Sequence, residues 1–454
     1  MRIVAAVLAG VVIGALYTVS PLTLWCVPLV IVLLTCAGRG LPPGEQRWVH
    51  VLLIVALAAR LAAIGAMFIV NTPMHDDESV AMLSGDEAYG MSRALRTRDV
   101  LTGAKVTQYD YFVAYDEYGR NAYITILTAI QSLFGPTPYS MRLFNTVLFL
   151  TAGVLLFRTV RPAFGPLPAF GGLAAMMFLP TLFYWSISLL KEPLYLLGGT
   201  LTLTGTIAAA RTTARRDRVF PVIAIVTGLV LTSGLRTGAF ALTVLGLGCG
   251  IAVLVFSSSP LRHKLTAAVA GVAIVLSVLA TPTARERLAS SLDSAAKAHA
   301  GHVFTQGHAY KLLDAGFYVT PVTVADSPVT LTAAEAARYV IRALVSFVAV
   351  PVPWELASTR ELSYLPEQLL WYVLVALFPI GLAAGWKREP LIVSMLAGYV
   401  VPTAVALALT NGNVGTLLRL RGMIIPYVVW ISAVGFFALL EHYASRESAV
   451  RITA

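Results

Sequence analysis

Apolar runs of about 17–25 residues, separated by short polar joints, recur along nearly the whole chain, and they decide what it can fold into. A run of that length matches the hydrocarbon thickness of a bilayer. Inside lipid every backbone N–H and C=O must be paired within the structure, so such runs read as helices. Of the 454 residues, 57% are hydrophobic and only 12% are charged, an excess of apolar surface that a soluble domain has nowhere to bury. We read about twelve spans, at 3–19, 21–38, 48–70, 138–157, 167–187, 193–210, 219–235, 238–256, 264–281, 367–385, 390–409 and 424–441. The first run has no convincing small-residue cleavage site and leads directly into the second, so it is read as a span and not a secretory signal. The expected fold is an all-α polytopic membrane protein. Its expected organisation is an N-terminal transmembrane hairpin at 1–40, a module at 41–260 and a second module at 261–454.

The net charge of +10 invites a nucleic-acid reading, and its placement argues against one. Arg39 and Arg47, Arg158 and Arg161, Arg211 with Arg215, Arg216 and Arg218, Arg262 and Lys264, and Lys387 and Arg388 fall in alternate loops. That is the positive-inside pattern, and it predicts both termini in the cytoplasm of a cell membrane. The carboxylates are an independent check. Of 23 acidic residues, only Glu45, Asp217, Glu389, Glu441 and Glu447 would be cytoplasmic. Membrane lipids, and no nucleic acid, are the expected surroundings. Cys26, Cys36 and Cys249 lie inside predicted spans and suit packing better than a disulfide or zinc framework.

Two long segments, 71–137 and 282–366, interrupt the spans, and both are predicted on the outer face. The first ends in "ITILTAIQSLFG", too short to span, which reads as a helix lying on the membrane. The second contains "EAARYVIRALVSFVAVPVPWE", with Arg338 and Arg342 on one helical face and apolar residues opposite. It reads as an interfacial or re-entrant helix stopped by Pro351 and Pro353. His299, His302 and His308 in this segment fit no zinc spacing and read as a solvated loop.

The stretch "LSGDEAYGMSRALR", Leu83 to Arg96, concentrates charge just past an apolar span. Ser84 with Glu87 three residues later makes a capping box, which gives Glu87 a structural task. Asp86 has no capping duty. It shares a helical face with Gly90 and Arg93, so an Asp–Arg pairing and a chemical role both remain open. Arg60 lies near the middle of a span, where a charge is costly and is usually paired, for structure or for function. Lys191 and Glu192 open another span at its outer end, Arg236 sits in the polar break "TSGLRTG", and Arg419 and Arg421 precede the last span. Outer-face arginines run against the positive-inside bias and ask for an anionic partner.

In order and spacing these pieces resemble the GT-C superfamily of membrane glycosyltransferases, especially the bacterial branch related to protein mannosyltransferases and lipid A aminoarabinose transferases. The matching stretches are "AARLAAIGAMFIV", "GDEAYGMSRAL" with Tyr89, "SLFGPTPYSMRLFN", "FLPTLFYWSISLLKEPLYL", "TSGLRTG" and "GTLLRLR", covering roughly residues 48–440. The hairpin at 3–38 is extra relative to that family, and the C-terminal soluble domain of some relatives is missing. The resemblance implies transfer of a sugar from a polyprenyl-phosphate donor to an envelope glycan, lipid or protein acceptor on the extracytoplasmic face, with inversion. It maps the acceptor-side carboxylate onto Asp86, with Glu87 beside it. A carboxylate there takes the acceptor proton, and cations stabilise the departing phosphate. Lys191, Arg236, Arg419 and Arg421 are the phosphate candidates; Arg60, Tyr89, Arg93 and Glu192 are secondary ones. Some relatives use a metal, and carboxylates suit Mg or Mn, but nothing in this chain demands one.

Two other readings stand beside this one. An O-antigen polymerase or ligase-like enzyme shares the spans and basic outer loops, and would depend on an outer His or Arg. A lipid or solute transporter predicts polar groups scattered through mid-span, where Arg60 is nearly alone. No P-loop, nucleotide-binding glycine motif or GxSxG is present, which disfavours a cytoplasmic nucleotide-sugar enzyme.

Overall fold

The computed structural model describes residues 20–71, 85–116, 121–135, 137–235, 238–260, 280–305, 307–318, 330–355 and 362–453, with scattered positions in 7–11 and 262–277. Among them the secondary structure is helical, and the one β pairing is an isolated bridge between Ala309 and Asn413. The chain divides into two compact units, residues 1–243 and 244–454.

The first unit begins with α1 (Pro21–Gly38) and α2 (Pro43–Asn71), then three helices of the predicted outer segment: α3 (Gly85–Leu101), α4 (Gln108–Tyr115) and α5 (Ala122–Phe134). It continues with α6 (Pro138–Phe164), α7 (Pro166–Phe178), α8 (Pro180–Ile187), α9 (Glu192–Arg211) and α10 (Val219–Leu235). Helix α11 (Ala239–Ser258) starts in this unit and runs on into the second. There follow α12 (Pro282–Val303), α13 (Ala333–Ala349), α14 (Leu365–Arg388), α15 (Pro390–Thr410), α16 (Val414–Arg421) and α17 (Ile425–Thr453).

Among the described residues, nine helices are long and apolar enough to cross a membrane: α1, α2, α6, α9, α10, α11, α14, α15 and α17. A tenth crossing arises if α7 and α8, bent by 61°, count as one broken span. The architecture is compatible with a polytopic membrane protein. The predicted runs 3–19 and 264–281 fall mostly outside the described residues, and 167–187 is the bent pair.

Proline sets many of the helix starts. It stands in the first turn of α1, α6, α7, α8, α9, α12, α14 and α15, where its missing N–H costs no hydrogen bond. The same residue breaks the predicted span 167–187. Leu179, the residue before Pro180, is extended at φ −59° and ψ 130°, because the proline ring excludes the helical region there.

Small residues let the spans approach closely, since lipid gives no hydrophobic drive for helix association. A Cβ at Gly205 of α9 would lie 2.9 Å from the Pro221 carbonyl oxygen, and one at Gly381 of α14 would collide with the Ile431 carbonyl of α17. Both short apolar stretches outside the predicted spans form helices. Helix α5 closes at Gly135 with φ +76°, and α13 ends at Ala349, ahead of Pro351.

Candidate functional site

Two adjacent carboxylates at the start of α3 have opposite environments. Asp86 is exposed, whereas Glu87 is fully buried. Glu87 receives Arg142 Nη2 at 3.0 Å and Nη1 at 3.3 Å, and the Leu189 N–H at 2.8 Å. Arg142, equally buried, also donates to the Ile187 carbonyl at 2.8 Å. The sequence offers Glu87 a capping task, and the family resemblance makes it a catalytic candidate beside Asp86. Its capping partner Ser84 lies outside the described residues, and the carboxylate carries a buried ion pair that capping does not anticipate.

This pair belongs to a larger clamp. Residues 188–191 are non-helical, so the carbonyls around them have lost their helical partners. Helix α6 supplies replacements: Thr146 Oγ1 to the Ser186 oxygen at 2.9 Å, and Asn145 Nδ2 to the Ser188 and Leu190 oxygens at 2.7 and 3.0 Å. Asn145 Nδ2 also donates to the buried Tyr123 hydroxyl at 2.8 Å. The clamp therefore fixes the turn that presents Lys191 and leads into Glu192, which is buried in the first turn of α9. Through Glu87 and Leu189 it also ties that turn to the start of α3, one residue from Asp86.

Arg60 supports the other side of the same break. It is fully buried, donating to Ser186 Oγ at 2.7 Å, the Ala56 oxygen at 3.0 Å and the Met177 oxygen at 2.9 Å. Its guanidinium lies between the Phe149 and Phe183 rings, 5.1 and 4.8 Å from their centroids. Of the two uses open to a mid-span arginine, the contacts favour the structural one. Arg60 satisfies backbone oxygens where the helix is broken.

Arg93 is also buried. It donates to the Tyr89 hydroxyl at 2.8 Å and to the Asp116 carbonyl, and its Nη1 lies 3.8 Å from the Asp116 carboxylate. Arg93 thus ties α3 to the end of α4, and Tyr89 stays exposed.

In the second unit Arg421 is enclosed between the Phe347 and Trp371 rings, at 5.5 and 5.2 Å. It donates to Gln368 Oε1 at 2.8 Å and to the Phe347 and Val350 carbonyls. Burial pushes it down to about 9, so it stays charged at neutral pH. Such a residue holds protein together and does not present a phosphate grip. Arg419, two residues earlier, is half-buried. Arg236 lies outside the described residues.

The solvated-loop reading of the histidines is corrected for His299. It sits on α12, fully buried, among Tyr310, Tyr318 and Tyr339. Its Nδ1 donates to the Asn411 carbonyl at 2.5 Å, and its Nε2 faces the Tyr318 hydroxyl at 3.1 Å and the Leu312 N–H at 3.3 Å. His302 Nδ1 donates to the Thr410 oxygen at 2.7 Å, so α12 latches the turn between α15 and α16. Burial pushes His299 down to about 4, with the Asn411 hydrogen bond opposing and His302 adding slightly. A neutral His299 stabilises the fold fully above its ordinary value of about 6.5, and that stabilisation is lost as pH falls toward 4. We expect up to roughly 3 kcal/mol of acid destabilisation between those values. Melting temperatures recorded from pH 7.5 to 4.5 check this: His299→Gln should lower stability at neutral pH and flatten the acid slope. An unchanged slope would remove His299 as its source.

Among the described residues, no three His, Cys, Asp or Glu side chains come together to hold a metal ion. No protein-family model, no curated protein and no solved structure matches this chain.

Sequence reasoning missed Arg142, Asn145 and Tyr123. Arg142 was open to the argument applied to Arg60, being a cation within the first two turns of a predicted span. The polar hub it forms with Glu87 bridges a sequence separation that no local pattern reveals.

Proposed function

We propose that this protein is an integral membrane glycosyltransferase of the GT-C type, moving a sugar from a polyprenyl-phosphate donor to an envelope acceptor on the extracytoplasmic face. The observation that carries the reading is the division of labour at the start of α3. Glu87 is locked in a buried ion pair, which anchors the backbone that offers the adjacent, exposed Asp86. A rigidly mounted carboxylate at a surface is what deprotonation of an acceptor hydroxyl requires. Lys191, mounted on the turn held by the same clamp, is the cation named first for the leaving phosphate; Arg236 is a further candidate. Arg421 is left out of this role because of its enclosure, and Glu87 and Arg93 act as positioning residues. Attack by the acceptor oxygen forms the new glycosidic bond as the sugar–phosphate bond breaks. The proton passes to Asp86, the electron pair leaves with the lipid phosphate, and the anomeric centre inverts.

Mass spectrometry of the gently solubilised protein is expected to find a co-purified polyprenyl-phosphate sugar. Topology supplies a second check. In a cysteine-free background, single cysteines at Tyr109 and Thr305 should react with an impermeant thiol reagent from outside, and those at Arg215 and Lys387 only after the membrane is opened. Labelling of Tyr109→Cys from the cytoplasm alone would remove the proposed site.

A further inference from the structure

Helix α13 is built like a float. Thr332 and Glu335 close a capping box at its start, at 2.8–3.3 Å, so the helix begins sharply. Tyr339, Ala343 and Phe347 form its buried face. On the opposite side Ile341, Leu344 and Val345 are exposed by 64%, 41% and 61%, an uncovered apolar stripe among the described residues.

Its attachments fix where it lies. Tyr339 donates to the Leu409 carbonyl in the last turn of α15. Gln368 and Tyr372, in the first two turns of α14, donate to the Val348 and Ala349 carbonyls at 3.0, 3.2 and 2.7 Å. The helix is therefore fastened to the beginning of one membrane-length helix and the end of another. If those helices span, α13 lies at the membrane boundary, where its uncovered stripe meets acyl chains.

Arg338 and Arg342 occupy the flank between that stripe and the buried face. Each is about half exposed, at 55% and 50%, and each lies 3.7 Å from the same carboxylate, Asp314. That separation exceeds the usual length of a charge-assisted hydrogen bond, so the two guanidiniums are held side by side without being consumed. Arg342 also donates to the Leu312 oxygen at 3.2 Å. Together with Leu312, Leu313, Phe317, Leu331, Tyr339 and the second carboxylate Glu335 these residues line a shallow, open depression.

We propose that α13 carries a binding site for an anionic membrane phospholipid: Arg338 and Arg342 grip the headgroup phosphate, and the acyl chains lie along Ile341, Leu344 and Val345. Guanidinium forks match phosphate oxygens geometrically. Cations at this depth attract anionic headgroups, by about fivefold each. The proposal rests on α14 and α15 crossing the membrane and is independent of the transferase reading.

The test uses the full-length protein, delipidated in mild detergent and titrated with phosphatidylglycerol or phosphatidylcholine of the same acyl chains, bound lipid being read by native mass spectrometry. The wild type should retain phosphatidylglycerol preferentially. Arg338→Gln/Arg342→Gln should weaken that retention about tenfold or more and leave phosphatidylcholine unchanged. Asp314→Asn, which removes the carboxylate shared by both arginines and leaves Glu335 with its cap, should strengthen it, an outcome that damage to the fold does not produce. Equal phosphatidylglycerol retention by the wild type and the double variant overturns the site. So does a wild type that retains polyprenyl phosphate but not phosphatidylglycerol. A spin label at Val345→Cys in bilayer nanodiscs should report burial among acyl chains; a water-exposed label overturns the lipid contact.

Discussion

Replacing Glu87 with Gln is expected to destabilise the protein by about 3–5 kcal/mol, far more than so small a change costs at a surface. The reason is the partner left behind. Arg142 is fully buried, and its charge is met by the Glu87 carboxylate at 3.0 and 3.3 Å. Gln keeps an oxygen for one of those donors but not the negative charge, so the buried guanidinium loses the carboxylate that faces it. Arg142→Met should cost a similar amount, since the buried carboxylate loses its cation and the Ile187 carbonyl loses a donor. The double variant Glu87→Gln/Arg142→Met should cost clearly less than the two single changes summed, which identifies the pair as the source. Thermal unfolding in detergent, followed by intrinsic fluorescence, reads all three. A Glu87→Gln protein that melts within a degree of the wild type would show that the ion pair carries no net stabilisation.

The spans and their approximate ends were legible because their information is local. A bilayer demands a continuous apolar run, and proline marks the first turn of many helices. The bend at Leu179 was signalled too, by Pro180, yet the apolar run continues across it and hides the break. The polar interior was not legible, because its bonds join distant positions. Asn145 reaches Ser188 and Leu190, and Arg60 reaches Met177 and Ser186. Only the three-dimensional fold shows that these arginines and amides answer carbonyls released at broken helices. His299 was misread for a related cause. Helix α12 is largely exposed, and its composition looks solvated, but one narrow face, Ala296, His299 and Ala300, turns inward.

The same split between neighbouring carboxylates sharpens the test of chemistry. Asp86→Asn should cost much less stability than Glu87→Gln, because Asp86 is exposed and its charge is already solvated. If Asp86 accepts the acceptor's proton, the variant should lose at least about a hundredfold in turnover, the lower end of what a positioned base contributes. Donor KM should change little, since the amide leaves the phosphate cations untouched. Initial rates for Glu87→Gln must be compared per folded molecule, because a loss of folded protein imitates a loss of catalysis. On that footing Glu87→Gln should retain much more activity than Asp86→Asn. Turnover surviving in Asp86→Asn would move the base elsewhere; a folded Glu87→Gln protein that is dead while Asp86→Asn works would transfer the role to the buried carboxylate, against its geometry.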